Sequence, residues 1–186
     1  MPLRGRNNLT GESYFFVTTT VVQFLNVFSD EHACDILISN IKHYQSKYHF
    51  TILGYVIMPS HFHWIVEVNR KTGTISDIMR DIKSYSSKEL TKYFYDSKEE
   101  IYAFRFEAEG KKNQQKKFWI DSFDDRVIRD VKMFWEKLNY IHNNPVKAGL
   151  VMRSEDYKYS SARNYALGDH SVIFVDTTQG GVYIKR

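Results

Sequence analysis

His61 and His63 are separated by a single phenylalanine, and the segment that carries them, His61 to Val68, alternates as a strand does. Phe62, Trp64, Val66 and Val68 fall on one face, and His61, His63, Ile65 and Glu67 on the other. Both imidazoles therefore project together, with Phe62 anchoring the strand from behind. Two neutral imidazoles hold a divalent ion incompletely and leave positions for water and phosphate oxygens, which is what phosphoryl chemistry needs. The plain alternative is a pair of histidines without a metal, because the motif is short.

A nucleophile is offered by Tyr140. Asp130 caps a helical segment with an apolar stripe of Val131, Phe134, Trp135, Leu138 and Ile141, ending near Asn144 because Pro145 disfavours a helical residue before it. At about 100° per residue, Tyr140 lies roughly 180° from Val131 and outside the stripe, whereas Asn144 falls only about 40° from Tyr140. A hydroxyl and an amide oxygen then share one helix face. Such a tyrosine is ordinarily an amphipathic surface group. If this face meets the histidines, a tyrosyl oxygen can attack a phosphodiester beside a bound cation, with Asn144 as third ligand, and a covalent intermediate conserves the bond energy for rejoining. His142 points about 200° away from Tyr140 and is not placed to assist. Glu67 shares the histidine face, either supporting the ligands or as a half-exposed strand glutamate. The run Asp124, Asp125, Arg126, Arg129 and Asp130 either frames the site or forms a capped, solvated helix entrance.

These residues need a scaffold. Ser13 to Val22 (SYFFVTTTVV) reads as a first strand, and a helix capped by Ser29 or Asp30 follows to about Tyr48, with Ala33, Leu37, Ile41 and Tyr44 at helical spacing. Phe50 to Met58 (FTILGYVIM) is a buried strand closed by the Pro59-Ser60 turn, so that it and the histidine strand form a hairpin. Thr74 caps a second helix striped by Ile75, Ile78, Met79, Ile82 and Tyr85, with Asp77 in its first turn. Strand, helix, strand, strand, helix, completed by a strand within Ile101 to Phe106 or Lys117 to Ile120, makes an α+β, ferredoxin-like split β-α-β core with an antiparallel sheet and an additional tyrosine-bearing helix. Beyond Gly149, Tyr157 to Tyr165 reads as a wrapped extension and Gln179-Gly180-Gly181 as a loose tail.

The 186 residues suit one domain, residues 1–186, with a core of about 13–150 and an extension of about 151–186. A net charge of +4 and a pI near 9.0 favour a polyanionic partner. The local distribution is more specific: Lys111, Lys112, Lys116 and Lys117 crowd beside Phe118 and Trp119, either a loop that grips a nucleic-acid strand, with Trp119 as a stacking face, or a solvated linker. A single cysteine, Cys34, excludes an internal disulfide, and the absence of a secretory leader points to the cytosol. No apolar run approaches the ~20 residues of a membrane span.

The stretches Gly54 to Val68 (GYVIMPSHFHWIVEV) and Phe123 to Val151 (FDDRVIRDVKMFWEKLNYIHNNPVKAGLV) resemble the single-tyrosine transposases of the IS200-like superfamily, and more closely the REP-associated tyrosine transposases. Tyr157 to Ser161 (YKYSS) looks like the segment that follows in that family, and the similarity runs from about Tyr14 to Ala162. The resemblance implies that His61 and His63 are paired metal ligands, Tyr140 the nucleophile and Asn144 the third ligand. It further implies Mg²⁺ or Mn²⁺, single-stranded DNA beside imperfect hairpins as substrate, a 5′-phosphotyrosine intermediate with a free 3′-hydroxyl, and either a monomer or a homodimer. Two other functions compete: a non-catalytic, domesticated hairpin-binding protein, and an RNA-binding module that stacks bases on sheet aromatics.

Overall fold

The computed structural model describes residues 13–97 and 117–178. Seven residues rich in β-branched and aromatic side chains make β1, Tyr14–Thr20. The chain then turns into α1, Glu31–Tyr48, where the Asp30 side chain accepts the Ala33 N–H at 3.1 Å and His49 closes the helix in the left-handed conformation. The hairpin β2, Thr51–Met58, and β3, His61–Glu67, follows. The helix α2, Ile75–Asp96, starts on a complete capping box between Thr74 and Asp77.

The sheet order is β2-β3-β1-β4, all pairs antiparallel. Because β1 and β2 both run against β3, which lies between them, α1 crosses over a strand position. This is the split β-α-β arrangement of a ferredoxin-like fold.

Among the described residues the fourth strand, β4, is Asp124–Val127 and not Lys117 to Ile120. Four charged-rich residues form a strand here because β4 is an edge: it pairs only with β1, and only Val127 is buried. Lys117 to Ile120 contributes one isolated bridge, Trp119 to Val21, and Ile101 to Phe106 lies outside the described residues.

Two apolar layers sit on the two sheet faces. Phe15, Val17, Phe62, Trp64 and Val66 pack under α1 and α2. Phe16, Leu53, Val56, Met58 and Ile65 meet the tyrosine helix α3, Val131–Lys147, through Phe134, Leu138 and Ile141. A β-bulge at Ile52/Gly54 shifts the phase of β2, so Ile52 and Tyr55, three residues apart, serve the same face before regular alternation resumes. Gly54 also sets how close α3 comes, since a Cβ there would lie 2.6 Å from Leu138 Cδ1.

Contrary to the expected stop at Asn144, α3 continues to Lys147 with Pro145 inside it. The proline forfeits the single i→i−4 bond of its own missing N–H, but the turn closes around it: Ala148 N–H donates to Asn144 O at 3.0 Å and Leu150 N–H to Pro145 O at 2.9 Å. Val131 and Trp135, expected in the apolar stripe, are 41% and 40% exposed; the buried stripe is Phe134, Leu138, Ile141 and Pro145.

The C-terminal extension covers the outer edge of β2. Ile57 N–H donates to Tyr159 O and Ser161 N–H to Tyr55 O, both at 2.9 Å, and the phenols of Tyr157 and Tyr165 donate to Ile57 O and Leu53 O. A short helix, α4, Ala162–Leu167, follows and places Tyr165 against Trp135 and His142 of α3. No helix among the described residues is long and apolar enough to cross a membrane.

Candidate functional site

The β1–β3 register sets Thr18 opposite His63 and Thr20 opposite His61, so the histidines project from the middle of the sheet toward α3. His63 is 4% exposed and stacks on Phe16, with ring centroids 5.6 Å apart and planes 17° from parallel. His61 lies beside it, 4.8 Å between centroids. Each imidazole is held by a hydroxyl on its Nδ1: Thr18 Oγ1 at 2.7 Å for His63 and Ser60 Oγ at 3.1 Å for His61. In the tautomer that donates from Nδ1 to Thr18, His63 Nε2 presents a bare lone pair.

That Nε2 is buried and has no protein partner, and neither does the buried Nδ2 of Asn144. Burial pushes the His63 imidazole down to about 3, aided by the neighbouring His61 and Lys137 charges, and burial also lowers His61. Both rings are therefore neutral near pH 7, the form that ligates a cation. Among the described residues no cluster of three His, Cys, Asp or Glu side chains is placed to hold a metal.

From α3, the Tyr140 ring meets His63 edge-on at 5.3 Å between centroids and Phe16 at 6.0 Å. Tyr140 is 42% exposed, so its face is open to a substrate. Lys137, Tyr140 and Asn144 form a second stripe on α3, about 100° round from the buried one. A face at that angle borders the interface, which is why Lys137 and Tyr140 reach Phe16 on the sheet without being fully buried. Tyr157 and Tyr159 do not compete for the role. The first spends its hydroxyl on Ile57 O, and the second is 6% exposed on the far side of the sheet, with the α1 and α2 layer.

A family model described as "Transposase IS200 like" matches residues 13–144, which takes in β1, both histidines, Tyr140 and Asn144. The chain belongs to the IS200-like transposase family. A putative REP-associated tyrosine transposase of Haemophilus influenzae is 26% identical over 114 residues, covering 61% of this chain and 60% of that protein. A solved structure of a REP-associated tyrosine transposase bound to a REP hairpin shares the fold, with TM-score 0.63, 23% identity and coverage of 89% of this chain and 87% of the other.

In this IS200-like transposase the remaining expected site residues separate clearly. Lys111, Lys112 and Lys116 lie outside the described residues, and Lys117 pairs with Asp121 at 3.0 Å. Trp119 offers no stacking face. It is 5% exposed, stacks on Phe28 and donates its indole N–H to Ser86 Oγ at 3.1 Å, because the bridge to Val21 turns its ring into the core. Glu67 accepts from Tyr14 at 3.0 Å and sits four positions along β3 from His63, too distant to orient the ligand, at about 3.3 Å per residue. His142 faces away from Tyr140, with its Nε2 2.8 Å from Ser161 Oγ.

Four neighbours were missed by sequence reasoning: Phe16, Thr18, Lys137 and Ser60. The cross-strand register assigns the first two, and the position three residues before Tyr140 on a helix was the available signal for the third. Of the charged run, Asp124 and Arg126 pair with Thr18 and Phe16 at the edge of the sheet, with β1 between them and the histidine strand.

Proposed function

We propose that this transposase cuts and rejoins single-stranded DNA beside a hairpin, with Tyr140 as nucleophile and His61, His63 and Asn144 as ligands of Mg²⁺ or Mn²⁺. The observation that carries the reading is a neutral histidine with a buried, unpartnered Nε2 whose ring lies 5.3 Å, centroid to centroid, from that of an accessible tyrosine. The donor set fits a hard or borderline cation with open positions. When bound, such a cation stabilises charge on the phosphate under attack.

The chain's own groups do the rest. Thr18 and Ser60 orient the two imidazoles, and Phe16 walls the site from below. Tyr140 Oη forms a bond to phosphorus as the P–O3′ bond breaks, and the phenolic proton ends on the departing 3′-hydroxyl. The product is a 5′-phosphotyrosine and a free 3′ end, and the reverse attack rejoins strands. Family membership supports the chemistry, and the hairpin in the REP-associated complex supports the substrate class. Lys111, Lys112, Lys116 and Lys117 supply phosphate contacts along the strand. The contact of Tyr140 with His63 within one chain supports a site completed in cis.

The test is incubation of the chain with labelled single-stranded hairpin oligonucleotides and Mn²⁺, then a denaturing gel. A protein–DNA adduct is expected, absent in His63→Ala. Hairpin retention by the parent without any adduct would favour a non-catalytic binding protein instead.

A further inference from the structure

Lys137 is half-buried on α3, three residues before Tyr140. Its Nζ lies 5.0 Å from the Phe16 ring centroid and 6.0 Å from that of Tyr140, and no carboxylate among the described residues forms an ion pair with it. Phe16 is thus shared by three groups: His63 stacked on it, Tyr140 edge-on to it, and the Lys137 ammonium over it. A cation over an aromatic face keeps a defined position while its remaining N–H donors point outward. Residues three apart on a helix are neighbours, so any phosphate attacked by Tyr140 enters the reach of this ammonium.

We infer that Lys137 is a further substrate-contacting residue, whose ammonium binds a non-bridging oxygen of the phosphate that Tyr140 attacks. This rests on the proposed role of Tyr140. Lys137 keeps its own proton throughout, and its work is to offset charge on the phosphoryl oxygens as the new bond forms. Arg126 pairs with Phe16 on β4 and is exposed, but it belongs to the edge strand and not to the tyrosine helix. It therefore serves as the neighbouring-cation control.

The test begins by mapping the cut position with the parent chain and Mn²⁺. Oligonucleotides are then made with a neutral methylphosphonate at the cut linkage or two linkages away, and binding is compared in Tyr140→Phe and in Tyr140→Phe/Lys137→Met, neither of which can attack. Neutralising the cut linkage should weaken binding by Tyr140→Phe about fivefold and leave the double variant nearly unaffected, while the distant linkage should affect both equally. In the otherwise unaltered chain, Lys137→Met should slow single-turnover adduct formation by on the order of 10²-fold, with Lys137→Arg retaining most of the rate and Arg126→Gln changing it little. Methionine keeps the aliphatic packing on Phe16, and retained binding of the distant-linkage oligonucleotide confirms the fold. Equal methylphosphonate effects in both backgrounds, or a parental rate for Lys137→Met, overturn the inference and leave the reading of Tyr140 standing. Absence of any adduct from the parent overturns both.

Discussion

Thr18 Oγ1 lies 2.7 Å from Nδ1 of His63, across the β1–β3 pair, and this contact leaves Nε2 as the unpartnered nitrogen of the imidazole. Hydroxyl or carbonyl partners of ligand histidines are worth about 10- to 100-fold in metal affinity. Thr18→Val, which keeps shape and removes the partner, should weaken Mn²⁺ binding by about 10-fold, read by calorimetry or Mn²⁺ resonance, with secondary structure unchanged. Parental Mn²⁺ affinity in Thr18→Val would mean that Ser60 and packing alone orient the pair.

Gly54 governs the approach of the tyrosine helix to the histidine face. A methyl group at Gly54 would have to displace the buried Leu138 side chain, because its carbon would lie 2.6 Å from Leu138 Cδ1. Gly54→Ala should cost about 1–3 kcal/mol in urea unfolding. It should also slow adduct formation more than it weakens hairpin binding, since the shift moves Tyr140 and not the DNA-contacting surface at large. A variant as stable and as fast as the parent would show that α3 is positioned by the C-terminal extension instead.

Stability should fall in acid through the buried histidines. Burial lowers His63 to about 3 and His142 to about 4 from an ordinary value of 6.5. Between those values and 6.5 the unfolded chain binds protons that the folded chain excludes, so unfolding is favoured as pH drops. The stabilisation is whole above pH 6.5 and is lost progressively toward pH 4, at on the order of 1 kcal/mol per pH unit for the buried His63 and less for the half-buried His142. Urea midpoints of the metal-free chain at pH 7 and pH 5 measure it, and His142→Gln should flatten the dependence. A midpoint that does not move between the two pH values contradicts the burial argument.

Because Tyr140 meets His63 of its own chain, mixing Tyr140→Phe with His63→Ala should restore no cleavage. Recovery of activity in the mixture would show that the tyrosine helix serves a second copy.

Much of this site could be read before any coordinates. The strand alternation put His61 and His63 on one face, and helical spacing took Tyr140 and Asn144 out of the apolar stripe; both periodicities are local and survive in the fold. Asp30, Thr74 and Asp130 mark the helix starts for the same reason, as each cap bonds only three residues ahead. What failed was non-local. β4 is an edge strand whose charges need no buried face, so Asp124 to Val127 carries no apolar pattern to detect. Trp119 could be placed only once its bridge to Val21 was known, and Thr18 joins His63 through a register between residues 45 apart. Pro145 misled in the other direction, because the turn closes around the one N–H bond it removes, through Ala148 N–H to Asn144 O and Leu150 N–H to Pro145 O.

The central claim is that Tyr140 is the attacking group, and the most direct measurement is to isolate the covalent adduct formed with a labelled hairpin oligonucleotide, digest it and locate the DNA by mass spectrometry. The account predicts a nucleotide-modified peptide that contains Tyr140, bearing the 5′-phosphate side of the cut, and no adduct from Tyr140→Phe despite unchanged hairpin binding. DNA mapped to another tyrosine, such as Tyr157, Tyr159 or the exposed Tyr85 or Tyr95, or an adduct that persists in Tyr140→Phe, would contradict it.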